Sequence, residues 1–193
     1  MSFPITFSEA RVQGLETKID VRNLGPFSGY VSYANMVGTQ TLPVAGGLFL
    51  GDEADELLNS NETLPISQDQ RNTLRSQIRY QPHPRFWFAF ATSYNSGLPF
   101  ELEGVSNEAF ISQQYGERIL ERVNFERGRV RPSSSVDISG GVELVHSDKL
   151  QLRFQADVFN LANRLNLINF AGVFSGTALD VPRSFSVRLR AEF

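Results

Sequence analysis

Phe185-Ser186-Val187-Arg188-Leu189-Arg190-Ala191-Glu192-Phe193 alternates apolar and polar residues at every step. Side chains of a β-strand point to opposite faces in turn, so a period of two without a fault predicts a strand with one dry face and one wet face. The dry face carries Phe185, Val187, Leu189, Ala191 and Phe193, and the wet face Ser186, Arg188, Arg190 and Glu192. Nine residues is also long. Strands of water-soluble domains average about 5–6 residues, whereas about 9–11 are needed to cross hydrocarbon at a tilt.

The same grammar recurs upstream. Leu150, Leu152, Phe154, Ala156 and Val158 alternate with Gln151, Arg153, Gln155 and Asp157. Val136, Ile138, Gly140, Val142 and Leu144 alternate with Asp137, Ser139, Gly141 and Glu143. Asn72, Leu74, Ser76, Ile78 and Tyr80 face away from Arg71, Thr73, Arg75, Gln77 and Arg79, and Phe86, Phe88, Phe90, Thr92 and Tyr94 follow. Near the start, Leu15, Thr17, Ile19 and Val21 alternate with Glu16, Lys18, Asp20 and Arg22, and Phe27, Gly29, Val31 and Tyr33 continue the pattern. Seven strands result. Their connections alternate between short (23–26, 81–85, 146–149) and long (38–67, 96–131, 163–182). Antiparallel neighbours therefore place every short turn at one end and every long loop at the other, as in outer-membrane barrels.

Composition agrees without deciding. The 193 residues are 41% apolar and 20% charged, and lack any run long and apolar enough for a transmembrane helix. Spanning β-strands spread their apolar residues one in two, so that lack does not exclude a membrane. A net charge of −3 gives no electrostatic case for nucleic acid. The absence of cysteine removes disulfides, thiolate nucleophiles and cysteine metal sites. Met1-Ser2-Phe3-Pro4 has no basic stretch leading into an apolar core, so no secretory signal peptide is expected within this sequence.

A soluble antiparallel β-sandwich would explain the alternation equally well. Strand length argues for the membrane. So do the lumen-compatible arginines Arg71, Arg75, Arg79, Arg153, Arg188 and Arg190, and the aromatics near strand ends, Tyr80, Phe86, Tyr94, Phe159 and Phe193. Seven strands are too few and of the wrong parity for a single-chain bacterial barrel, so the expectation is a segment of a larger one.

Little else suggests chemistry. His83 and His146 fall in short turns, where a solvated turn residue is the ordinary reading. Asp52, Glu53, Asp55 and Glu56 form an acidic loop cluster without EF-hand spacing. Asn61-Glu62-Thr63 is a weak glycosylation pattern, and Gly46, Gly47 and Gly172 read as loop flexibility. No catalytic constellation, metal site or cofactor is expected, and the chain is not read as an enzyme.

Several segments carry a resemblance: Asp69-Gln70-Arg71-Asn72-Thr73-Leu74, Pro84-Arg85-Phe86-Trp87, Ser96-Gly97-Leu98-Pro99-Phe100, Val158-Phe159-Asn160-Leu161-Ala162-Asn163-Arg164 and Pro182-Arg183-Ser184-Phe185, with the terminal Phe193. Their order over most of residues 12–193 resembles the C-terminal part of the barrel of TonB-dependent receptors, nearest to those with a carboxypeptidase-regulatory-like N-terminal domain. The resemblance implies an all-β, antiparallel transmembrane β-barrel fragment, about seven strands of a roughly 22-stranded barrel, with residues 1–193 as its C-terminal part and the plug domain absent. It implies energised uptake across the outer membrane of a Gram-negative-type cell. The ligand would be an iron chelate, cobalamin, oligosaccharide or peptide, and the TonB energy complex would act through the missing plug. A porin-like passive channel shares this strand grammar. Outer-membrane lipid and the barrel assembly machinery are the other implied partners. Phe185, Val187, Leu189, Ala191 and Phe193 resemble the terminal signal which that machinery reads, although Ala191 is small for its position.

Overall fold

A computed structural model of the chain describes residues 6–45, 63–100, 113–172 and 176–193. All seven expected strands form. They are β1 (Thr6–Leu24), β2 (Phe27–Ala45), β4 (Asn72–His83), β5 (Phe86–Asn95), β8 (Ser133–His146), β9 (Gln151–Phe159) and β12 (Ser184–Glu192). They pair in the order β1-β2-β4-β5-β8-β9-β12, and β3 (Thr63–Pro65) adds to the upper part of β2. Every pairing is antiparallel. The chain is thus all-β, a single up-and-down meander whose edges are β1 and β12. Those edges do not pair with each other among the described residues.

The register carries the alternation from strand to strand. Val21 pairs with Gly29, Gly29 with Ile78, Ile78 with Phe90, Phe90 with Ile138, Ile138 with Val158 and Val158 with Phe185. One residue from each strand thus joins a single row on the apolar face. Because the period is two, a slip of one residue in any pairing would turn that strand inside out. The row begins near the short-turn end of β1 and finishes at the loop end of β12. A climb of roughly one residue per strand, at about 3.3 Å against a strand spacing of about 4.8 Å, tilts the strands by about 35°. Closed barrels have tilts of this size.

Two expectations change. First, β1 and β2 are each 19 residues long, so the connection expected at 38–67 begins as a strand that continues to Ala45. Hydrophobic alternation stops at Leu15 on β1, but the hydrogen-bond ladder does not, and periodicity alone could not see the extension. Second, the ladder shifts between Glu143 and Val145. Val145 takes the place opposite Leu152 that simple alternation assigns to Leu144. An inserted residue of this kind lets a strand turn its last side chains without leaving the sheet.

The other long connections hold small elements: helix α1 (Glu117–Leu120), a short ladder of β6 (Val123–Asn124) with β7 (Arg129–Val130), and a hairpin of β10 (Leu167–Gly172) with β11 (Gly176–Leu179). The buried apolar residues of the described chain lie here and not in the sheet. Val123, Val130, Leu167 and Phe170 are fully enclosed, and Phe100, Tyr115, Ile119 and Leu120 pack around them. Phe170 is ringed by Phe100, Tyr115 and Phe125, with centroids 5.7, 4.9 and 6.2 Å away. Two loops from different parts of the chain thus share one core and cap the loop end of the sheet.

Candidate functional site

The sheet presents two faces and a cap, and each has its own chemistry. The apolar face is uncovered. Leu15, Ile19, Ile78, Phe88, Phe90, Phe185, Val187 and Leu189 are all exposed, Phe185 by 74%, while Phe170 in the cap is exposed by 1%. On β5 the belt runs from Phe86 to Tyr94. Nine residues at about 3.3 Å, tilted by about 35°, rise roughly 24 Å. The apolar band of an outer-membrane barrel is about 25 Å tall. Seven strands at about 4.8 Å make the belt roughly 1,000 Å² in area, well beyond the largest patch of about 300–600 Å² that a soluble monomer usually exposes.

Aromatic rings collect at both margins of the belt. At the short-turn end Phe27 stacks on Tyr80 at 4.8 Å and His83 on Phe86 at 5.6 Å, and Phe88 meets Phe86 edge-on. At the loop end are Tyr33, whose hydroxyl donates to Asn72 Oδ1 (2.6 Å), and the exposed Tyr94 and Phe159. Rings with one apolar side and one polar tip suit a boundary between hydrocarbon and water.

The terminal strand lies at the sheet's edge with Phe185, Val187, Leu189 and Ala191 on the apolar face, opposite Val158, Ala156, Phe154 and Leu152. Phe193 follows the last paired residue and is 99% exposed. The five residues of the expected assembly signal are therefore accessible along one edge.

The polar face carries charge in registered rows. Trp87, Gly141, Gln155 and Arg188 form one row, and Glu143, Arg153 and Arg190 the row nearer the short turns. A Cβ on Gly141 would come within 2.5 Å of the Trp87 Nε1, so the bare backbone of Gly141 is what lets the indole lie across the sheet. The Arg79 guanidinium stacks over that indole at 4.2 Å. A cavity of about 400 Å³ opens beside it, lined in part by Arg79, Arg85, Arg153, Arg188 and Arg190.

At the loop end the polar groups are structural. Asp69 is fully buried and accepts the Gly38 N–H (2.9 Å), the Arg71 Nε–H (2.8 Å) and a bond from Arg129, which also donates to the Asp69 carbonyl (2.7 Å). Burial alone would raise the carboxyl's pKa. The Gly38 N–H and the guanidiniums of Arg71 and Arg129 outweigh it and hold the value below the ordinary one. Gly97, at φ 87°, lies so close to the Val130 carbonyl that any Cβ would overlap it. That approach brings Leu98 O to the Val130 N–H (2.9 Å) and closes the cap over the sheet.

Asn160 and Asn163 hold left-handed backbone, φ 48° and 50°, which asparagine tolerates better than most residues. The Asn160 side chain, buried, donates to the carbonyls of Arg164 (2.9 Å) and Val181 (3.1 Å) and accepts the Arg164 N–H (3.0 Å). Asn166 imitates a strand neighbour, accepting the Ser134 N–H (3.1 Å) and donating to its carbonyl (2.9 Å). Sequence reading singled out neither Arg129 nor Asn166. Asn160 and Asn163 stand in a segment that carries the resemblance, whereas the cue to Asn166 is the density of asparagines after a strand.

The histidines, expected in the short turns, instead close the strands that lead into them: His83 is the last residue of β4 and His146 of β8. His83 Nδ1 accepts the Arg85 N–H (3.1 Å), and His146 pairs with Glu143. The acidic cluster Asp52, Glu53, Asp55 and Glu56, the sequon residues Asn61 and Glu62, and Gly46 and Gly47 lie outside the described residues; Gly172 ends β10 opposite Gly176. Among the described residues no group of three potential ligands could hold a metal ion, and no helix is long and apolar enough to cross a membrane. No protein-family model matches the chain, and no similar curated protein or solved structure was found.

Proposed function

We propose that the chain is a segment of the wall of an outer-membrane β-barrel that admits solutes, of the TonB-dependent receptor type. The apolar face meets lipid, the polar face lines a water-filled lumen, and the packed loops lie outside the cell. The observation that carries this reading is the uncovered apolar belt of membrane height, held in register across seven strands and edged by aromatics at both margins. In water such a belt would drive aggregation; in hydrocarbon it is the stable arrangement. The unpaired backbone edges of β1 and β12 would cost several kcal/mol for each orphaned group in lipid, so further strands complete the wall. The candidate ligands are those of energised uptake, namely iron chelates, cobalamin, oligosaccharides and peptides, selected by the external cap.

Expression in a Gram-negative host within the complete reading frame tests the reading. Recovery in the outer-membrane fraction, extractable only with detergent, is the expected result. A monomer in the aqueous fraction with a cooperative melt would overturn it in favour of a soluble sandwich. Uptake that stops when the inner-membrane proton gradient is collapsed separates an energised receptor from a passive porin-like channel.

A further inference from the structure

The polar face concentrates positive charge where the chain as a whole is acidic. The net charge is −3, yet five guanidiniums (Arg79, Arg85, Arg153, Arg188 and Arg190) converge on one cavity of about 400 Å³ near the short turns, with Glu143 the only carboxylate among the described residues of its lining. Glu143 is already engaged by His146. Glu192, just outside, pairs with Arg190 (2.6 Å) and lies 3.9 Å from Arg153. Among the described residues Arg79 reaches the amide oxygen of Gln81 (3.3 Å) and the face of Trp87 but no carboxylate. Arg188 has no hydrogen bond or ion pair among the described residues. Five guanidiniums against these two carboxylates leave positive charge in excess; like charges so gathered repel one another, and an anion bound there relieves that repulsion.

The recess is also built, not merely charged. Gly141 gives the Trp87 indole its place, and that ring in turn holds Arg79 flat. Four of the five arginines stand on strands, Arg79 on β4, Arg153 on β9 and Arg188 and Arg190 on the edge strand β12, where register fixes them, and Arg85 stands in the tight turn between β4 and β5: Arg153 lies opposite Arg190, and Gln155 opposite Arg188. The volume falls within the range of small-molecule sites, and guanidinium forks suit carboxylate and phosphate oxygens.

We infer that this recess binds a small, multiply charged anion bearing phosphate or carboxylate groups. It forms an anion station on the polar face near the short-turn end. This deepens the transport reading by giving the chemistry of one point along the lumen, and its test is independent of that reading.

The protein is expressed within its complete reading frame and purified in detergent micelles or, should it stay soluble, in buffer; that step bears on the membrane alone. Pyrophosphate and citrate are then titrated calorimetrically in either medium at about 0.15 M salt, where screening acts beyond about 8 Å. Saturable binding is expected, weakened about tenfold or more by Arg188→Gln and by Arg153→Gln. Arg75→Gln, four residues from Arg79 on the same face but outside the recess, should leave it unchanged. Gly141→Ala keeps every charge but displaces the indole, and should weaken binding severalfold. Absence of saturable binding by the folded chain overturns the inference, as does equal weakening by Arg75→Gln and Arg188→Gln.

Discussion

Arg129 grips Asp69 twice, once at the carboxylate and once at the backbone carbonyl, across 60 residues of chain. Through this one side chain β7, in the cap, is fastened to the turn that precedes β4. The carboxylate is buried and its pKa held low by the Gly38 N–H, Arg71 and Arg129 against the opposing effect of burial. A depressed folded-state value means that the stabilisation is complete above the unfolded carboxylate's pKa of about 3.9. It is lost as the pH falls through the folded value. The cap should therefore loosen below about pH 4, read as faster proteolysis within residues 113–131, while the sheet's circular dichroism persists. Asp69→Asn should loosen the cap at neutral pH and abolish that acid dependence.

Arg129→Ala leaves the buried Asp69 carboxylate with Arg71 and the Gly38 N–H but without the guanidinium that also holds its backbone carbonyl. Leaving a buried charge wholly unpaired costs about 3–5 kcal/mol, and the remaining partners should hold the cost here below that range. Arg129→Lys should recover only part of that, because an ammonium cannot bond both the carboxylate and the carbonyl in the planar geometry of the guanidinium. Denaturant titration followed by Trp87 fluorescence against proteolysis of the cap separates the two regions.

Charge placed on the apolar face should cost most at the centre of the belt. Phe90 is midway between Phe86 and Tyr94, so Phe90→Arg is expected to cost about 2–4 kcal/mol. Leu152 is only the second residue of β9, close to the short-turn margin, so Leu152→Arg should cost about 0–1 kcal/mol. Arg153→Leu, on the polar face, should change stability still less. Refolding equilibria in lipid vesicles provide the comparison. Equal costs at Phe90 and Leu152 would contradict a belt with a defined depth.

Phe193→Ala should reduce recovery in the outer membrane severalfold without altering the folded sheet, because Phe193 follows the last ladder residue and packs against nothing. Ser186→Ala, on the opposite face of the same strand, serves as the control. Quantitative blotting of membrane fractions after a short induction reads the difference.

Asn160→Ala removes three hydrogen bonds and puts a β-carbon residue at φ 48°. The orphaned Val181 and Arg164 groups should cost about 1–3 kcal/mol each where they stay dry. Asn160→Gly keeps the backbone but not the bonds, so it should fall between wild type and Ala in resistance to cleavage at 161–166.

The strands and the short turns were legible because each is written locally, as alternation between Leu15 and Phe193 and as turn residues such as Pro26 and Pro84. The bulge beside Val145 was hidden, since Leu144 and Val145 are both apolar and satisfy either register. The upper halves of β1 and β2 were hidden because their ladder rests on backbone hydrogen bonds, to which hydrophobic spacing is blind. The arginines of the polar face were visible as a class. That five of them meet at one place depends on the pairing of β4, β5, β8, β9 and β12, which no single segment reveals. Asp69 stands within a segment of the resemblance, but its partner Arg129 lies between residues 96 and 131, where no strand periodicity marks it.

The cap's core is assembled from two of the three long connections, with Val123 and Val130 from one and Leu167 and Phe170 from the other. Neither surface can drift alone. A larger side chain at Phe170 must find its room among Phe100, Tyr115 and Phe125, so substitutions in the two loops should be inherited in matched sets. If the cap selects the ligand, as proposed, a change of ligand would then come about by exchange of the whole cap, leaving the sheet beneath it untouched.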